Sequence, residues 1–224
     1  MRISVIIPAL NEAGRIGRAI GSATGAFEVI VADGGSSDGT EKEAADAGAV
    51  VVASTRGRGA QMDSGAARAS GDALLFLHAD TLLPERWREA VEGALRSPAV
   101  AGGAFRFSVE GKGLRFRALE AFVNIRSGRL GLIYGDQAIF ARKEAFFRCG
   151  GFGKLPLMED IDCVRRLRAQ GTVALLGESV MTSARRWAVR GVIANALWNS
   201  ALLALYYSGV SSDKLYSLYY NKKN

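Results

Sequence analysis

The chain has 224 residues, 49% of them apolar, no low-complexity tract and a net charge of +7, which suits one large cored domain and an anionic ligand. The arginines form no aromatic-interleaved stripe, which disfavours nucleic acid, and a single histidine, His78, excludes a multi-histidine zinc site. Cys149 and Cys163 have neither metal nor redox spacing, and no signal-peptide pattern follows Met1, so a cytoplasmic protein, or one at the inner face of the membrane, is expected.

Ile3 to Ile7 is β-branched and bounded by Pro8, which predicts a first strand. Asn11 and Glu12 follow, with Asn11 as the expected N-cap of a helix that places Ile16, Ala19 and Ile20 on one face. Glu28 to Asp33 predicts a second strand ending in an acid. A donor-rich turn with Ser36 and Asp38 leads to a short helix from Thr40 to Ala47. Val50 to Val52 is a third strand. Arg56-Gly57-Arg58-Gly59 is a basic turn opening a small-residue helix from Ala60 to Ala69. Leu74 to Leu77, an apolar run without turn residues, predicts a buried parallel strand that delivers His78-Ala79-Asp80 at its carboxyl end. A helix carrying Trp87, Val91 and Leu95 comes after Pro84.

This alternation has the spacing of parallel βαβ units, so Asn11, Glu12, Asp33, Ser36, Arg56 and Asp80 are expected on one sheet edge, around one crevice. A carboxylate there suits a divalent cation, a hard ion that takes oxygen ligands; the alternative for Asp80 is to cap the next helix.

The second half predicts a strand at Gly102 to Phe107, an amphipathic helix at Leu114 to Ile125, and a strand at Ala138 to Ala141 after Gly135-Asp136-Gln137. A turn at Gly150-Gly151-Phe152 precedes a helix opened by Glu159, Asp160 and Asp162. Acids at a helix N-terminus complement its dipole, or here supply a base at the crevice. No charge lies between Arg190 and Asp213. Asn195, Asn199 and Ser200 argue against a spanning helix, which leaves residues 190–212 as a membrane-surface helix or a packing or homodimer helix.

Several motifs then add up in order. Val5-Ile6-Ile7-Pro8-Ala9-Leu10-Asn11-Glu12 resembles the opening strand and loop of family 2 glycosyltransferases, and Val31 to Thr40 resembles their Asp-Asp-Gly-Ser-x-Asp-Gly-Thr string. Leu77-His78-Ala79-Asp80 is similar to their Asp-x-Asp motif and Met158-Glu159-Asp160 to their Glu-Asp motif. Ser183-Ala184-Arg185-Arg186-Trp187 faintly resembles Gln-x-x-Arg-Trp. The Arg56 to Gln61, Leu77 to Thr81 and Tyr134 to Gln137 strings resemble a small bacterial subgroup associated with arsenosugar biosynthesis or radical-SAM enzymes.

The resemblance implies an α/β GT-A fold, with a Rossmann-like, mostly parallel sheet flanked by helices. It implies a catalytic domain over residues 1–186, split near residue 100 into nucleotide and acceptor halves, and an apolar helical appendage over 187–224. It further implies a nucleotide-diphospho-sugar donor, a hexosyl group transferred with inversion, and a divalent cation, Mn²⁺ or Mg²⁺. The acceptor would be a hydroxyl on a lipid phosphate or a small molecule. Pro8, Asn11, Glu12, Asp33 and Ser36 would serve the nucleoside, and Arg56, Gly59 and His78 would lie along the donor. Asp80 would hold the metal, and Arg186 the diphosphate. Asp160, with Glu159 and Asp162 raising its pKa by like-charge repulsion, would be the base. Gly135, Asp136, Gln137 and Trp187 would face the acceptor. His78 stands where the first acid of Asp-x-Asp is usual, and Ala32 where Asp33 usually has an acidic neighbour. The incomplete motif keeps open an alternative, a nucleotide-sugar-binding module or partner subunit without transfer activity.

Overall fold

A computed structural model describes residues 1–185 and 191–221. The apolar, β-branched runs form β1 (Ile3–Ala9), β2 (Glu28–Asp33), β3 (Val50–Ala53) and β4 (Ala73–Phe76), linked by α1 (Ile16–Ser22), α2 (Thr40–Asp46) and α3 (Arg58–Arg68). They pair in parallel in the order β3-β2-β1-β4, so all four carboxyl ends share one edge.

The chain continues through β5 (Thr81–Leu82), α4 (Trp87–Leu95), β6 (Val100–Glu110) and α5 (Leu114–Ile125). After short turns come β7 (Phe140–Arg142), α6 (Lys143–Arg148), α7 (Glu159–Arg168) and β8 (Thr172–Ser183), then α8 (Val192–Tyr207) and α9 (Ser212–Asn221). The second half of the sheet is mixed: β7 is antiparallel to β4 and β6, β8 is parallel to β6, and β5 is antiparallel to β8. Gly102 and Gly103 permit the tight β6–β7–β8 contact, since a Cβ at either would come within 2.4 Å of a neighbouring carbonyl oxygen.

Side-chain alternation on the strands divides the core. Val5, Ile7, Val31 and Leu75 face α1 and α4, where Ile16, Ile20, Trp87 and Val91 cover them. Ile6, Ile30, Leu74 and Phe76 face Met62 and Ala66 of α3, Phe146 of α6, and Val164 and Leu167 of α7.

Two features differ from the sequence expectations. Asn11 does not cap α1, which starts five positions later with Arg15 at its N-cap; Asn11 instead adopts a left-handed conformation (φ 54°) and its side chain accepts a bond from the Ser37 N–H. β8 has no counterpart in the expectations, because its exposed and half-buried residues lack a clean two-residue alternation and its pairing with β6 carries bulges. The C-terminal helices pack at the start of α7, where Leu202, Leu203 and Leu215 share a core with Met158 and Ile161. Among the described residues no helix is long and apolar enough to cross a membrane.

Helix α3 lies unusually close to the sheet. A Cβ at Gly65 would stand 2.4 Å from Cγ2 of Ile6. The Gln61 amide donates to the carbonyl oxygens of Ala9 (2.6 Å) and Ala32 (3.0 Å), at the ends of β1 and β2. Gly65→Ala is therefore expected to lower stability by about 1–3 kcal/mol through overpacking, read by urea unfolding; an unchanged midpoint would contradict this packing.

Candidate active site

The loops after β1 and β2 are knitted together by side-chain bonds. Asp33 is buried, and its carboxylate accepts from the N–H groups of Gly35 and Ser36 and from Ser36 Oγ. Ser36 Oγ in turn accepts from the Asn11 N–H, and Thr40 Oγ1 accepts from the Glu12 N–H at 2.8 Å. These bonds hold the 10–14 and 34–40 turns against each other at the sheet edge, as expected for a shared rim.

Beside that rim lies a cleft of about 520 Å³. The end of β1 and the loop after it line it with Pro8 and Glu12, the turn into α3 and its first residues with Arg56, Arg58 and Gly59, and the segment after β4 with His78 and Asp80. Lys154 and Pro156 close one side, and Tyr216 and Tyr220 of α9 reach in from the C-terminus. Pro8, Glu12, Arg56, Gly59, His78 and Asp80 thus meet; Asn11, Asp33 and Ser36 sit behind the lining, in the turns that shape it. Gly59 sits close to the opposite wall: a Cβ there would stand 3.3 Å from the Gly153 carbonyl oxygen, a tight contact, and 3.5 Å from the Glu159 side chain.

Asp80 is not a helix cap, because the next helix begins at Trp87 with Arg86 before it. Its carboxylate is 7% exposed and lies 3.9 Å from the Arg185 guanidinium, which also pairs with Glu12 at 3.1 Å. The basic partner at this point is Arg185; Arg186 and Trp187, expected at the diphosphate and the acceptor, lie outside the described residues.

A smaller pocket of about 90 Å³ opens next to the cleft and shares Arg58, His78 and Glu159 with it. Tyr134, Gly135, Asp136 and Asp160 form its other wall, with Asn199 of α8 and Tyr219 of α9. Asp160 is held by two backbone donors, Gly135 N–H to Oδ2 at 2.7 Å and Ile161 N–H to Oδ1 at 2.8 Å. Met158, in the left-handed region at φ 67°, turns the chain into α7 just before Glu159 and Asp160. A side chain at Gly135 would meet both His78 and Asp160, with its Cβ 2.9 Å from His78 Nε2 and 3.5 Å from Asp160 Oδ2.

The three acids of α7 separate in space. Glu159 is buried 3.8 Å from Arg58. Burial works against the charge on Arg58, but Glu159 and Asp160, with Tyr220 and Tyr219, outweigh it and raise its pKa. Asp162 is tied to Arg165 (2.7 Å) and Arg166 (2.8 Å). Both carboxylates that flank Asp160 on this helix thus carry cationic partners. Tyr134 stacks under Arg126 at 3.7 Å, and burial pushes its phenol up to about 12, so it remains protonated.

Gln137 is not at the pocket surface. It is fully buried, accepts from Ser127 Oγ at 2.7 Å and donates to the Phe105 carbonyl at 3.1 Å, so its amide braces the turn that presents Gly135 and Asp136. Sequence reading missed Arg58 as the partner of Glu159, and it missed the α9 tyrosines. The spacing of Tyr216, Tyr219 and Tyr220 on one helical face is the signal that could have found the latter.

The profile described as Glycosyl transferase family 2 matches residues 4–155. The chain is similar to glucosyl-3-phosphoglycerate synthase from Mycobacterium tuberculosis in complex with Mn²⁺, UDP and glucosyl-3-phosphoglycerate. The identity is 25% and the TM-score 0.56, over 81% of this chain and 70% of that one. Another structure of the same enzyme, with Mn²⁺, UDP-glucose and phosphoglyceric acid, matches at 26% identity and TM-score 0.55, over 78% and 69%. TarS 1–349 of S. aureus shares the fold at 15% identity and TM-score 0.60, over 82% of this chain and 61% of that one. With the family profile covering more than half of its length, this chain belongs to glycosyl transferase family 2.

Proposed function

We propose that the protein transfers a hexosyl group from a nucleotide-diphospho-sugar to a hydroxyl acceptor, with inversion and with Asp160 as general base. The observation that carries this reading is the Asp160 carboxylate, fixed by two backbone N–H groups in a pocket that adjoins a cleft lined by Asp80, Arg56 and Arg58. In the same reading, the Arg56 to Gln61 and Tyr134 to Gln137 strings support the small bacterial subgroup named above.

The donor's nucleoside would lie by Pro8, Glu12 and the turn braced by Asp33, Ser36 and Asn11. Its diphosphate would lie near Arg56, Arg58, Arg185 and Lys154, whose positive charge stabilises the negative charge that develops on the leaving oxygens. Among the described residues no three acids, histidines or cysteines gather into a metal cluster. One carboxylate still fits Mg²⁺ or Mn²⁺, since such ions are commonly held by one or two carboxylates together with substrate phosphates and water. Asp80 would be that ligand, and a bound cation would offset charge on the leaving diphosphate.

The attacking hydroxyl loses its proton to Asp160, forms the new bond to the anomeric carbon, and expels the nucleoside diphosphate. Each Asp160 oxygen accepts one backbone N–H and keeps a lone pair for that proton. These bonds fix the carboxylate before substrate arrives, so less reorganisation is needed at the moment of reaction. Glu159 orients Arg58 from beneath the shared wall. Gly135 and Asp136 would meet the acceptor.

Asp160→Asn is expected to keep nucleotide binding and to lose transfer by about 10²- to 10⁴-fold; full transfer in that variant would overturn the assignment. In a thermal-shift screen of nucleotide-diphospho-sugars with Mn²⁺ or Mg²⁺, the cognate donor should raise Tm, because ligand at a hundredfold excess over Kd stabilises the fold by about 2.7 kcal/mol. Asp80→Ala should remove the metal-dependent part of that shift.

A further inference from the structure

Helix α5 carries two apolar faces. Phe116, Leu119 and Val123 pack inward against Phe107, Val109 and Val192. Leu114, Phe122 and Ile125 point out and are 88%, 49% and 56% exposed; Leu130, in the turn that follows, is 68% exposed. With exposed Ala118 and Ala121 between them, they make one stripe along the helix at four- and seven-residue spacing. Nothing among the described residues covers it.

The charge around the stripe is one-sided. Residues 111–131 hold Lys112, Arg115, Arg117, Arg126 and Arg129 against a single acid, Glu120. Glu120 is mostly buried and paired with Arg117 at 2.8 Å. Lys112, Arg115, Arg117 and Arg129 are exposed, and Arg115 stacks on Phe116 at 5.0 Å. Exposed large apolar side chains within a basic rim match the acyl boundary and the negative headgroups of an anionic bilayer. A second copy of the same face would bring arginines against arginines.

The geometry points to α5 and the turn after it as a docking surface for an anionic lipid bilayer. The chain then lies on the membrane by this face and does not cross it. This surface is distinct from the uncharged 190–212 segment, whose helix α8 buries Val192, Leu202 and Leu203, leaves Leu197 and Tyr207 exposed, and has no basic rim of its own.

The test is co-sedimentation of the full chain with phosphatidylcholine vesicles, with and without phosphatidylglycerol, read alongside light scattering. The wild type should bind only the phosphatidylglycerol vesicles, and less at high salt. Phe122→Ser/Ile125→Ser/Leu130→Ser should bind at least about tenfold more weakly. Arg115→Gln/Arg129→Gln should bind more weakly with a flatter salt dependence. All the altered side chains are exposed, and unchanged thermal melts verify folding. Absence of wild-type binding, or full binding by both variants, would overturn the proposal. So would a wild-type dimer that the apolar variant converts to monomer, which would assign the stripe to a second copy.

Discussion

The site depends on how closely α3 approaches the sheet. Gly65 lets the helix settle on Ile6 of β1, and the Gln61 amide then reaches the ends of both β1 and β2. From the same helix, Asp63 accepts the N–H groups of Phe152 and Gly153 and so holds the glycine turn that leads to α7. Gly151 sits there at φ 62°, and a Cβ would stand 2.6 Å from Asp63 Oδ1, so only glycine fits. One helix thus sets the cleft floor, delivers Arg58 and Gly59, and places Glu159 and Asp160.

The charges of the site come in compensated groups. Arg185 lies between Glu12 and Asp80, Arg58 stands on Glu159, and Asp162 is held by Arg165 and Arg166. Asp160 is different: its carboxylate accepts from two backbone N–H groups. In the proposed mechanism the cationic groups would serve the anionic leaving group, and the Asp160 carboxylate would take the proton. A lone carboxylate at Asp80 is compatible with cation chemistry, because phosphate and water oxygens supply most of the coordination that Mg²⁺ takes.

The C-terminal helices complete the walls. Their core with Met158 and Ile161 anchors them at the start of α7. From there Asn199 and Tyr219 line the small pocket, and Tyr216 and Tyr220 the cleft. On the other side, Arg126 stacks on Tyr134 and Ser127 bonds to Gln137, so the turn after α5 is connected directly to the wall around Gly135 and Asp160. The outward apolar stripe of α5 and the Gly135–Asp136 wall of the pocket therefore belong to one continuous segment of chain.

Local pattern determined much of this protein. The β-branched runs, their spacing and their terminal acids specify the parallel β3-β2-β1-β4 half, because buried parallel strands read as unbroken apolar runs. The order of the motifs specified the family. The mixed half was less legible: β8 is a half-exposed, bulged strand without strict alternation, so its pairing with β6 is decided by contacts far apart in sequence. Side-chain partners were likewise decided only in three dimensions. Asp33 and Asn11 bond within the turns, Gln137 turns into the core, Arg185 reaches Glu12 and Asp80, and the α9 tyrosines reach the cleft from the far end of the chain. Sequence determined the strands and the chemistry carried at their ends, since those follow from local periodicity; tertiary structure decided which groups meet, since hydrogen-bond and ion-pair partners depend on distances that no spacing along the chain encodes.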